Sequence, residues 1–131
     1  MKRNVMLILM SLLSILLLTF HLSDDIVRGM EGGGVKNITG VLILVVWLYG
    51  TLVLAERRSG YVIILIGSLL GSGVPVIHMM GKGLVGGDIA HSGGVLFWVW
   101  TLITLGVTST FSVILSVQGL IGFSRRKTDT P

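Results

Sequence analysis

The sequence predicts an all-α integral membrane protein, a four-transmembrane-helix bundle with both termini on the cytoplasmic side. Three observations carry that prediction. The chain contains four long apolar runs. Its composition is 52% hydrophobic and only 12% charged, far from the balance of a soluble domain. Its basic residues gather at alternate ends of the runs.

The runs cover residues 5–20, 41–55, 61–80 and 95–121. A spanning helix needs roughly 20 predominantly apolar residues, which places the spans at about 5–21, 38–55, 60–80 and 93–121. The second is the shortest and needs snorkelling ends to cross. At 131 residues the four spans form one domain, with no soluble domain left over.

The first run follows Lys2 and Arg3 as a secretory signal would. However, the stretch Thr19 to Asp25 offers no small-x-small cleavage site, so an uncleaved first span is expected. Its Ser11, Ser14, His21, Asp25 and Arg28 recur at steps of three, four and seven, which places them on one helical side. If the helix continues two turns past Phe20, His21, Asp25 and Arg28 stack as a polar column, with Asp24 beside it. The second run is dominated by Val, Leu, Ile, Trp47 and Tyr49, with Gly50 its only interruption. It reads as the most lipid-exposed wall.

Glu56 to Gly60 is expected to form a tight turn that makes the second and third helices antiparallel neighbours. In the third run Gly67 and Gly71 form a GxxxG pair, a close-packing signal in apolar helices. His78 continues that face, and Pro75 should kink the helix and free the Gly71 carbonyl. The fourth run carries Gly94, Thr101, Thr104, Thr108 and Ser112 on a small, hydroxylated face. His91 joins that face if the helix begins near Ser92.

The charges give the orientation. Lys2, Arg3, Arg57, Arg58, Arg125, Arg126 and Lys127 fall on one side of an even number of spans, and only Arg28, Lys36 and Lys82 on the other. Counted over short loops, this bias puts both termini in the cytoplasm of a multi-pass cell-membrane (plasma or inner-membrane) protein. Tyr61 suits the inner interface, and Trp98 and Trp100 the outer one. The partner implied is the lipid bilayer. The formal charge of +4 does not indicate nucleic acid, because the basic groups are topology anchors. Gly81 to Gly86 matches a dinucleotide fingerprint in letters only, since that motif works between a strand and a helix.

All three histidines fall at the external end with four of the six acids. The candidate metal ligands are His21, Asp25, His78 and His91, with Asp24 and Asp88 as further members. Imidazole and carboxylate from different helices suit a divalent transition metal. A proton-responsive polar network is the second choice, and haem between two histidines the third. Cysteine is absent, which removes thiolate sites and disulfides.

A metal would permit hydrolysis or oxidation of a lipid-like substrate, or binding and transport of the ion. No acid lies in the inner half of any span, which argues against cation transport through a monomer. The competing class is a structural or accessory subunit without a cofactor, forming a homo-oligomer or larger complex through Gly67 and Gly71. Geometry separates the two. Glycines facing lipid favour association, whereas glycines facing the first and fourth helices favour an internal site. A reporter fused within residues 81–94 is expected to be external, and cytoplasmic reporter activity there would overturn the arrangement.

Overall fold

Four helices account for most of the chain, and no strand occurs among the described residues. The computed structural model describes residues 2–30, 32–81 and 83–128, without the side chains of Lys2, Arg3, Lys36, Asp88 and 126–128. Helix α1 is Lys2–Val27, α2 is Ile38–Leu52, α3 is Arg58–Met80 and α4 is Val95–Thr128. Short 3₁₀ turns at Val35–Asn37 and Gly87–His91 precede α2 and α4. Helices α1, α3 and α4 contain segments long and apolar enough to cross a membrane, whereas α2 has only 15 residues.

Helix α4 packs mainly on α3 and α1, while α2 lies against α3 with a smaller contact to α1. Beside the buried Leu7, Trp47, Ile64, Leu102 and Leu105, the interior holds many small hydroxylated residues. Ser11, Ser14, Thr51, Ser68, Ser109, Ser112 and Ser116 are fully buried, whereas Leu9, Leu16, Val45, Ile66, Val107 and Phe111 are 48–55% exposed. Small side chains at helix contacts allow close approach. The hydroxyls of Ser11, Ser14 and Thr51 are hydrogen-bonded, whereas those of Ser68, Ser109, Ser112 and Ser116 are buried without a partner among the described residues.

Polar ties join the helices at three levels. At the end opposite the histidines, the Tyr61 hydroxyl donates to Asn4 Oδ1 at 2.7 Å. Midway, Trp47 Nε1–H donates to Ser11 Oγ at 2.9 Å, Ser11 and Thr51 share a 2.7 Å bond, and Ser14 donates to Thr108 at 3.0 Å. The third level is the histidine end.

Close packing explains the glycines of α3. A Cβ on Gly67 would lie 2.4 Å from the Trp47 ring, and one on Gly71 would lie 2.5 Å from Ser109 Oγ. Both glycines therefore serve contacts with α2 and α4 inside the chain. Pro75 packs over Gly106 of α4, where an added Cβ would stand 3.1 Å from the proline ring.

Several boundaries differ from the sequence expectation. Helix α2 stops at Leu52, and the turn to α3 falls over residues 53–57 rather than Glu56 to Gly60. The turn folds back so tightly that a Cβ on Gly60 would strike the Leu54 carbonyl oxygen. Helix α4 starts at Val95 and runs on to Thr128. Its delayed start follows from Gly94, whose φ of 78° lies in the left-handed region. Tyr61 and Trp98, expected in interfacial belts, are buried, as is Trp47 of the expected lipid wall. Each has a polar tip engaged by another helix.

These contacts set a paired expectation. Gly67→Val should destabilise by about 1–3 kcal/mol through overpacking against Trp47. Gly73→Ala, with nothing within 4 Å of its Cβ, should be neutral or slightly stabilising. Thermal unfolding in detergent, followed by circular dichroism, distinguishes them.

Candidate metal centre

Helix α1 does continue past Phe20, and its last two turns build the site. The i, i+4 spacing stacks His21 and Asp25 on the bundle side, where they are 4% and 7% exposed. His21 Nε2 stands 3.3 Å from Asp25 Oδ2. It also stands 3.1 Å from His78 Nε2, one ring nitrogen donating to the other. The two imidazoles meet edge to face, with ring centroids 5.0 Å apart. One ligand atom from each of His21, Asp25 and His78 falls within a span of 4.8 Å.

Trp98 of α4 completes the arrangement. Its Nε1–H donates to Asp25 Oδ1 at 3.0 Å, leaving Oδ2 directed at His21. The same indole packs against both imidazoles, at centroid distances of 5.9 and 5.1 Å. A carboxylate held by one donor is a fixed ligand rather than a free rotor. Trp98 is the member of this cluster that sequence reasoning missed. Its signal was present, since Trp98 lies in helical register with Thr101, Leu105, Thr108 and Ser112, whereas Trp100 falls on the opposite face.

The other expected residues part from this group. Asp24 pairs with Arg28 at 2.7 Å, so Arg28 does not join Asp25. Arg28 also donates to Ser92 Oγ, tying the end of α1 to the connector before α4. His91 ends the 3₁₀ turn, is exposed, and stands outside the group. Extended backbone at Ser92 and the left-handed Gly94 keep it off the α4 register. The side chain of Asp88 lies outside the described residues.

The spacing suits a small ion. Neighbouring ligands of a tetrahedral zinc stand ~3.3 Å apart when the bonds are ~2.0–2.1 Å. Two of the three separations, 3.1 and 3.3 Å, match that edge. The third, between His78 and Asp25, is within 4.8 Å, so Asp25 or His78 would draw in on binding. Haem fits poorly, because axial ligands on opposite faces would stand ~4 Å apart on the same bond lengths, with a macrocycle between them. Charge points the same way. Asp25 brings a buried negative charge, the imidazoles bring none when neutral, and the Arg28 guanidinium is committed to Asp24 and Ser92. Burying a carboxylate is costly unless it is hydrogen-bonded or paired, and a cation would be one such partner.

Two cavities meet at His78. One, of about 470 Å³, lies between α1, α2 and α3, with His21, Asp25 and His78 among apolar walls that include Leu18, Leu44 and Val74. The other, of about 210 Å³, lies under the glycines of the α3–α4 connector and also touches Trp98. Comparison with family models, curated proteins and solved structures gave no match to this chain.

Trp98→Phe removes the donor to Asp25 while keeping an aromatic ring. It should lower stability by about 1–3 kcal/mol, the cost of leaving a buried acceptor without its partner. Trp100→Phe on the exposed face should leave the unfolding temperature unchanged.

Proposed function

We propose that this protein is a four-span cell-membrane bundle, both termini cytoplasmic, that binds a divalent transition metal through His21, Asp25 and His78 at its external end. The carrying observation is the convergence of two imidazole nitrogens and one carboxylate oxygen from two helices within 4.8 Å. Two histidines and one carboxylate suit zinc or ferrous iron. Three protein ligands leave a coordination position open, as in sites that act on a bound molecule rather than only brace a fold.

The membrane reading rests on the exposed apolar surface, the buried hydroxyls and the asymmetry of basic residues. Helix α2 crosses as the fourth and shortest span. The glycine-lined cavity beside His78 gives the ion a route from the connector side. The competing reading, an accessory subunit associating through Gly67 and Gly71, is disfavoured because those glycines are filled by Trp47 and Ser109.

Elemental analysis of purified protein reloaded with zinc or cobalt tests the proposal. Near-stoichiometric metal is expected, lost in the His21→Ala/His78→Ala double variant and kept in Lys82→Ala. Uptake should fall as pH is lowered, because only neutral imidazoles ligate. A folded protein that binds neither ion would overturn the assignment.

A further inference from the structure

The larger cavity has the composition of a ligand site. Its volume of about 470 Å³ lies within the ~300–1,000 Å³ of small-molecule pockets, which are mostly apolar with a few convergent polar groups. Here the polar groups are His21, Asp25 and His78. The walls are the hydrocarbon side chains of α1, α2 and α3. Three of those wall residues also belong to the outer surface: Ile43, Leu70 and Ile77 are 39%, 50% and 70% exposed. The cavity therefore communicates sideways with whatever surrounds the apolar belt, rather than only with the connector side.

We infer that this cavity binds a single-chain anionic amphiphile, whose head-group oxygen takes the open position on the metal held by His21, Asp25 and His78. The inference rests on the metal reading and adds the class of molecule that the site receives.

Charge selects the head. A divalent ion with one carboxylate and two neutral imidazoles carries one net positive charge in a poorly solvated place, and an anionic oxygen cancels it. Carboxylate and phosphate monoester heads share this chemistry. Size selects the tail. At ~30 Å³ per water-sized group, the cavity holds about fifteen such groups, enough for one chain segment and its head but not for two acyl chains. The rest of a longer chain leaves between Ile43, Leu70 and Ile77 into the apolar surroundings. Gly40 of α2 lines the cavity, and a Cβ there would make only ordinary contact with Leu22, at 3.4 Å. A larger side chain at this position can fill the space without rebuilding the helix.

The test uses the full-length, cobalt-loaded protein in phosphatidylcholine nanodiscs, with metal content measured on the same samples. Dodecanoate is titrated and the visible cobalt spectrum followed, with acetate as the head group without a tail and dodecyl phosphate as the alternative head. A saturable spectral change is expected, with dodecanoate binding roughly tenfold or more tightly than acetate through burial of its chain. Gly40→Leu should keep its cobalt and weaken dodecanoate roughly tenfold while leaving acetate unchanged.

If cobalt binds but dodecanoate behaves like acetate, or Gly40→Leu has no effect, the amphiphile inference is overturned and the metal site stands. If the spectrum responds only to dodecyl phosphate, the phosphate monoester is the ligand and the shared chemistry holds. If a folded, monodisperse protein takes up no cobalt, the metal reading fails and this inference with it.

Discussion

A buried carboxylate governs the histidine end of this protein. Asp25 lies on the bundle side of a largely apolar helix and is shielded from solvent, so the groups near it must answer its charge or its lone pairs. Trp98 answers with an indole N–H, and His21 with a ring nitrogen one turn away. His78 reaches the same point from α3. Removing water from a charge is costly unless the replacement partners are well placed. The meeting of α1, α3 and α4 is that replacement. The pairing of Asp24 with Arg28 leaves the adjacent acid electrically settled, so Asp25 is the one whose charge remains open to an ion.

The same logic, in a milder form, runs along the bundle. Hydroxyls of Ser11, Ser14, Thr51 and Thr108 and the Trp47 indole face inward and bond to one another or to carbonyls of the preceding turn. Small side chains let the backbones approach, and glycine is used where a large ring must lie flat against a helix. Trp47 over Gly67 and Tyr61 over Gly119 are the two clearest cases. Many apolar residues form the outer surface instead, where a bilayer would not penalise them.

Much of this was legible in the sequence because it depends on helical period. Ser11, Ser14, His21 and Asp25 share a face by spacing alone, and the length of the apolar runs fixes the helices that contain them. What periodicity could not supply was the identity of each partner. Trp98 and Tyr61 look like interfacial aromatics by position, and only the packing reveals that their polar tips are consumed by Asp25 and Asn4. His91 was grouped with the other histidines by its place between runs. Local backbone decides its fate instead, because the left-handed Gly94 separates it from the helix it was expected to extend. The partner of Arg28 was a similar choice between neighbouring acids at i−3 and i−4, settled by the direction of the last turn of α1.

Helix α2 brings a consequence of its own. Its 15 residues rise only ~22 Å, against a hydrocarbon thickness of ~30 Å. Set in a bilayer, that mismatch draws the headgroup layer inward along one side of the molecule. The thinned side is the one formed by α2, whose first turn carries Gly40 at the cavity. Lipid head groups would thus stand at nearly the depth of the histidines, and the polar end of an amphiphile could reach the proposed site from the leaflet without crossing hydrocarbon.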